Sequence, residues 1–556
     1  MNKPLSEYPR PQLYRESYVS LNGEWDYAIS KESNFPKQYD GKILVPFSPE
    51  SKLSGVNHIL QPDEYLFYHL EFVLEQDFIK DKVLLHFQAV DQSCEVFLNG
   101  VCLGEHVGGY LPFSFEIKEH LKDVNHLVLR VRDLSDTSYH ARGKQKLNRG
   151  GIWYTPQSGI WLPVWLESVN NNYIEKIRFT PDIDKEEVII NITSKAEVAT
   201  IHIFGMDRPI DCNKDNHIKV KDMHLWCPED PYLYFVRISL DDGDEVTSYF
   251  AMRKFSIIED EKGYKRIALN NKPIFMKGVL DQGYHYDTLL TPKSYDDYIK
   301  DIKLVKSLGF NTIRKHIKIE LPRWYFECDK MGMIVWQDFV NGGYTYKFST
   351  ITLPLFTGMH YNDHNYKRFG TDDEEYRKEM VNEFKQTIDY LYNCPCIALW
   401  TIFNEGWGQF DAKDVYAQIK DLDHTRLFDH VSGWHDQKVS DTKSIHAYFH
   451  RAPMPLSKKR AIILSEFGGL VYSIKDHMME GNHVYKSFED KDKWLKAFAK
   501  MMKLDVKRNI KRGLCASIYT QLTDVEEETN GFITFDREVV KIEPELIKEI
   551  NDTLKY

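Results

Sequence analysis

From about residue 261 onward, short apolar strands alternate with helical patterns, and that alternation restricts the fold more than any other feature of the chain. "PIFMKGV" precedes the helical "YIKDIKLVKSLG", and "NTIRKH" precedes "PRWYFECDKMG". "MIVWQDF" is followed, after a long insertion, by "DDEEYRKEMVNEFKQTIDYLY", in which Tyr376, Met380, Phe384, Ile388 and Leu391 fall on one helical face. "IALWTIFNE", "LFDHVSG", "SIHAYF", "AIILSEFGG" and "GLCASIYTQL" bring the strand candidates to eight. The pattern predicts a (β/α)8 barrel over residues 261–556. The insertion at 340–372, rich in Gly, Tyr, Asn and His, is longer than an ordinary loop, and loops of that length are commonly functional.

Upstream the texture is β. "KVLLHFQAV", "SCEVFLNGVCLGEH" and "HLVLRVRD" alternate apolar and polar residues, and Asn99-Gly100 between two such runs signals a tight hairpin. Residues 1–170 are expected to form a β-sandwich, and 171–260 a second, smaller immunoglobulin-like one built from "YIEKIRFTPDI", "EVIINITS", "TIHIFG" and "LYFVRISL". A chain of 556 residues is too long for one core, in keeping with three domains.

Composition narrows the function classes. A formal net charge of -11, with no Lys/Arg-dense arm, argues against a nucleic-acid partner. The N-terminus "MNKPLSEYPRPQ" lacks the apolar core of a signal peptide, and no apolar run is long enough to span a membrane. Eight scattered Cys suggest no disulfide framework, so a reducing cytoplasm is expected. Aromatics reach 13%, which suits both sugar stacking and sandwich cores.

In a (β/α)8 barrel, chemistry gathers at the C-terminal ends of the strands. Glu405 ends the fourth strand and Glu466 the seventh. A glutamate at a strand end is ordinarily a solvated loop residue. Two of them facing each other across a pocket are what glycoside hydrolysis requires, one protonated to serve the leaving oxygen and one ionised to attack or to activate water. Asn404 is suited to bind a sugar hydroxyl, and Trp407 and Trp434 offer stacking faces.

The chain resembles glycoside hydrolase family 2, the group of β-galactosidases, β-glucuronidases and β-mannosidases, along nearly its whole length. "LNGEWDYAIS", "GGYLPFSFEI", "GGIWYTPQSGIWLPVWLE", "LWCPEDPYLY", "FNTIRKH" and "FNEGW" carry the likeness in order. The resemblance implies a retaining reaction with Glu405 as acid/base and Glu466 as nucleophile; no cofactor and no metal-ligating site residue are expected, and a structural metal ion is left open. It implies that Asn404 binds the sugar 2-hydroxyl and that Arg314 and Tyr448 support the nucleophile. Around the second and third strands the chain departs from the family pattern. It reads "RKHIKIELP", with His316 one place early and Lys315 and Lys318 added, and Gln337-Asp338 at the third-strand carboxylate position. These departures bear on the sugar, so Arg314, His316, Asp338, Tyr448, Trp407 and Trp434 all enter as candidate substrate-binding residues.

The expected activity is that of an exo-β-glycosidase acting on a glycoside or oligosaccharide. A β-galactoside is favoured over a hexuronide, because the "NGF" after the eighth strand lacks the lysine with which β-glucuronidases of the family grip a carboxylate, and Glu526-Glu527-Glu528 would repel one. Lys315 or Lys318 could supply a substitute cation. A carbohydrate-binding homologue that has lost catalysis is the rival class. A metal hydrolase would have to use a cluster such as His360–His364, which nothing nearby completes. Homo-oligomerisation is left open.

Overall fold

The computed structural model describes residues 3–455, 458–479 and 485–556. In the N-terminal region a six-stranded antiparallel sheet and a four-stranded one share a core of Trp25, Leu66, Leu85, Val96, Leu129 and Leu166. The hairpin at Asn99-Gly100 joins Ser93–Leu98 to Val101–Val107 through two residues at positive φ (52° and 85°), the backbone that an Asn-Gly turn accommodates. A second pair of antiparallel sheets, with three and four strands between residues 176 and 250, closes over Ile177, Val188, Ile190, Ile201, Val236 and Ile238. A three-stranded sheet then pairs Phe255–Glu259 with Lys265–Leu269, so its hairpin runs across the junction expected at 260. Its Phe255, Ile267 and Leu269 bury into the barrel core.

The barrel strands are β1 (Met276–Asp281), β2 (Thr312–Lys315), β3 (Ile334–Asp338), β4 (Ile397–Asn404), β5 (Leu427–Ser432), β6 (Thr442–Ala447), β7 (Ala461–Gly468) and β8 (Leu514–Thr520). All recorded pairings between them are parallel, in the order β5-β4-β3-β2-β1-β8-β7-β6. Every residue of β4 and β7 is buried, as expected for parallel strands covered on both faces. β5 and β6 end the hydrogen-bonded order, and side chains close that seam, with Asp429 accepting from Thr442 Oγ1 at 2.9 Å and from Ser444.

Helices α1 (Tyr295–Ser307), α2 (Pro322–Met331), α3 (Glu374–Leu391) and α4 (Ala412–Ile419) follow β1 to β4, and α5 (Lys491–Met501) and α6 (Pro544–Asn551) follow β7 and β8. The expected face of α3 is the buried one. No helix lies between β5 and β6 or, among the described residues, between β6 and β7, so the barrel departs there from strict β/α alternation. The insertion after β3 carries short helices Phe348–Ile351, Leu353–Thr357 and Tyr366–Phe369. Within it Asp363 accepts from Ala412 N at 3.0 Å and His364 bonds Asp411, so these two members of the His360–His364 cluster are spent on local contacts. No helix among the described residues is long and apolar enough to cross a membrane.

Candidate active site

β4 ends because Glu405 turns into the left-handed region (φ 51°), followed by Gly406 at φ 79°. Trp407 N closes the turn on Asn404 O at 2.8 Å, and Glu405 N donates to Ser432 O on β5 at 2.9 Å. A glutamate at positive φ is uncommon, and such strain gathers at functional sites. On β7 the pairing register with β8 shifts between Leu464 and Phe467, a bulge that sets the direction of Glu466. These two local irregularities bring the glutamates together. One oxygen of each, with a ring nitrogen of His446, lie within 4.8 Å of one another.

The two carboxyls occupy unlike surroundings. Glu405 is buried, and burial pushes its carboxyl above the ordinary range. The Glu466 charge adds to the rise, while the His446 Nδ1 bond at 2.8 Å opposes it. Burial alone would also raise Glu466, but His446, Arg314 and the Tyr448 hydroxyl together outweigh it and hold this carboxyl below its ordinary value. Arg314 Nη1 donates to Glu466 Oε1 at 3.0 Å, and Tyr448 OH donates to Oε2. One group is thus favoured protonated and its neighbour ionised.

Arg314 is fully buried and its guanidinium is spent on protein partners. It grips Asp338 at 2.8–3.1 Å, donates to Asn404 Oδ1 at 2.9 Å and reaches Ser465 O at 3.1 Å. Asp338 therefore holds the arginine. The buried guanidinium needs that counter-charge, so the contacts seen for Asp338 are with the arginine. Trp434 donates from Nε1 to Glu405 O at 2.9 Å and lies edge-on to His446 at 5.4 Å. Trp407 is only 2% exposed and packs on Trp153 of the N-terminal sandwich at 5.1 Å, so its faces are largely covered rather than open for stacking.

Among the described residues, three buried polar atoms at this place lack a hydrogen-bond partner of ordinary geometry: Asn404 Nδ2, His316 Nε2 and Trp407 Nε1. Buried groups of this kind call for a ligand or water. An amide ladder fixes the tautomer of His316. Glu528 accepts from Asn530 Nδ2 (3.1 Å), Asn530 Oδ1 from Gln521 Nε2 (2.8 Å), Gln521 Oε1 from Gln282 Nε2 (2.9 Å), and Gln282 Oε1 from His316 Nδ1 (2.8 Å). A carboxylate only accepts, so each amide has one orientation and the His316 proton sits on Nδ1. Nε2 is left as a lone pair 3.6 Å from Glu466 Oε1, and burial keeps the ring neutral.

The lysines beside it are engaged by other protein groups. Lys315 Nζ is spent on Asp281 (2.6 Å) and Glu320 (2.8 Å), and Lys318 Nζ on Glu320 (2.7 Å), Gly283 O and Leu290 O. A buried ammonium must be paired, and Glu320 accepts from both. Of the acidic run, Glu526 and Glu527 face Arg149 at 3.2 and 3.4 Å, and Glu528 accepts from Asn530.

Sequence reasoning missed two residues. His446 touches both glutamates, and alternation places it on the same side as Tyr448, the one signal that could have found it. Lys144 lies in the loop "ARGKQKLNRGG", which reads as an ordinary polar connection.

Comparison with known proteins bears on the family and the fold. Residues 27–155 match the glycosyl hydrolases family 2 sugar binding domain, 195–253 the family's central domain, and 261–465 its TIM barrel domain. A β-galactosidase of Thermoanaerobacter pseudethanolicus is 23% identical over 500 residues, 83% of this chain and 62% of that one. A putative β-glucuronidase of Formosa agariphila is 25% identical over 58% of this chain and 37% of its own length. The chain thus spans less than two thirds of the length of these curated relatives. Among solved structures, a β-D-glucuronidase of Dictyoglomus thermophilum superposes with a TM-score of 0.77 at 18% identity, covering 99% of both chains. A β-galacturonidase of Eisenbergiella tayi bound to galacturonate superposes at 0.72 and 17%, again over 99% of each chain. With three family domains matched in order, the chain belongs to glycosyl hydrolases family 2.

Proposed function

We propose that the chain is a retaining exo-β-glycosidase. The observation that carries this is the carboxyl pair, with oxygens within 4.8 Å and pKa values displaced in opposite directions. Retaining enzymes hold their carboxyls about 5–5.5 Å apart, whereas inverting ones leave about 6.5–9.5 Å for a water. Glu466 attacks the anomeric carbon while Glu405 gives its proton to the departing glycosidic oxygen, leaving a glycosyl ester on Glu466. Glu405, now ionised, takes a proton from water, and the water oxygen displaces Glu466 with the β-configuration restored. Asn404 Nδ2 and His316 Nε2 are left to meet sugar hydroxyls, one as donor and one as acceptor.

We further propose a neutral sugar, with β-galactoside ahead of β-glucuronide. The pairing of Lys315 and Lys318 with Glu320 supports it, since neither ammonium is left for a carboxylate. A panel of p-nitrophenyl β-glycosides tests both statements. Hydrolysis with the galactoside leading in kcat/KM is expected. A clear preference for the glucuronide would overturn the neutral-sugar assignment, and no hydrolysis of any member would leave a carbohydrate-binding homologue. The scattered cysteines also favour a cytoplasmic location, which fractionation of the native cells would check.

A further inference from the structure

The N-terminal sandwich sends the segment Arg142–Tyr154 into the barrel mouth. Arg142 N and Gly143 N both donate to Asn341 O at 3.0 Å, and Arg149 pairs with Glu526 at 3.2 Å on the β8 loop. Gly143 sits at φ 60°, where a Cβ would stand 2.9 Å from Ile317 O, so only glycine lets the strap lie this close to the barrel. The next residue, Lys144, is 7% exposed, and its ammonium lies 5.9 Å from the Trp407 ring, two residues from Glu405.

An ammonium has three donors. Among the described residues one is used, on Tyr154 OH at 3.2 Å. Tyr154 OH itself donates to Glu528, whose nearest oxygen is 3.9 Å from Lys144 Nζ, beyond hydrogen-bond reach. Glu528 is already engaged by Tyr154 and Asn530, so it neutralises the lysine without consuming its donors. The ring of Trp407 lies 6.0 Å from that of His316, whose Nε2 is 3.6 Å from Glu466, and Lys144 and His316 line one small cavity, so Lys144 lies beside the unpartnered atoms of the site.

We propose that Lys144 is a specificity-determining residue, donating to a hydroxyl oxygen of a neutral sugar held between Glu405 and Glu466, so that the sandwich completes the pocket of the barrel. This rests on the glycosidase reading above. The adjacent Glu528 opposes a carboxylate at the same place. The Lys144 charge also holds both Glu405 and Glu466 lower than they would otherwise lie, so it acts on the reaction as well as on binding.

Binding is measured first, by calorimetry with p-nitrophenyl β-D-galactoside on Glu466→Gln, alone and combined with Lys144→Met or Lys144→Arg. Loss of a charged hydrogen bond weakens binding on the order of 10- to 100-fold in the Met variant, with partial recovery in the Arg variant. Equal binding in all three, or no binding in any, overturns the proposal. The pH profile of kcat/KM is measured second, with Glu466 intact. Removing the cation raises both carboxyls, so both limbs move to higher pH in Lys144→Met, which a merely misfolded protein would not show. Unmoved limbs with unchanged KM overturn the proposal while leaving the glycosidase reading intact. Lys144-dependent binding without any hydrolysis sinks that reading and spares the binding role. A wild-type preference for the glucuronide that vanishes in Lys144→Met overturns the neutral-sugar form.

Discussion

His446 offers the sharpest perturbation, because one side chain touches both reacting carboxyls. Its Nδ1 is 2.8 Å from Glu405 Oε1, and its Nε2 is 2.9 Å from Ser432 Oγ and 3.6 Å from Glu466 Oε1. A hydrogen bond to a charged group contributes about 1.5–3 kcal/mol. His446→Ala removes that bond where Glu405 is almost shielded from water, so solvent replaces little of it. A fall in kcat/KM of about 10- to 100-fold follows at the optimum, since each 1.4 kcal/mol is about tenfold. The bond favours ionised Glu405, and the ring also favours ionised Glu466. Removing it therefore raises both carboxyls. Activity needs Glu466 ionised and Glu405 protonated, so the acid limb moves up with Glu466 and the alkaline limb moves up with Glu405. The assay is kcat/KM for an aryl β-galactoside across the pH range, with His446→Gln as the conservative comparison. A loss below about threefold, or limbs that stay in place, would refute the role given to this histidine.

Glu405→Ala should slow substrates with poor leaving groups far more than activated aryl glycosides, because only the former need the proton. Equal losses on both would take Glu405 out of the acid role. Arg314→Met leaves Asp338 and Glu466 buried without their counter-charge, which costs about 3–5 kcal/mol of stability. Denaturant unfolding reads this directly, and a change under about 1 kcal/mol would show that water replaces the guanidinium. Glu528→Gln ends the acceptor that orients the amide ladder, so the His316 ring should lose its single tautomer. Nitrogen chemical shifts of the imidazole would show this, and an unchanged Nδ1–H would count against the ladder.

Much of the site was legible because strand ends are legible. Glu405, Glu466, Asn404, Arg314 and Tyr448 each end or follow an apolar run, and the structure brings them together. What escaped depends on contacts between segments remote in sequence. Lys315 and Lys318 read as pocket cations until Glu320 is seen to take both, and Asp338 reads as a sugar contact, whereas the contacts seen for it are with Arg314. Lys144 could not be placed from its loop, because contacts remote in sequence, Gly143 against Ile317 and the Arg142 and Gly143 amides on Asn341 O, carry it to the barrel. The stretch around β6 also departs from the expected alternation, since among the described residues no helix flanks it and the side chains of Asp429, Thr442 and Ser444 tie β5 to β6.

The central claim is a double displacement at Glu466 assisted by Glu405. Proton NMR of the sugar released in the first moments of hydrolysis tests it most directly, before mutarotation mixes the anomers. The spacing of the two carboxyls predicts that the β-anomer appears first and the α-anomer only later. An α-anomer as the first product would contradict the account, because a single displacement by water would then have replaced the ester on Glu466.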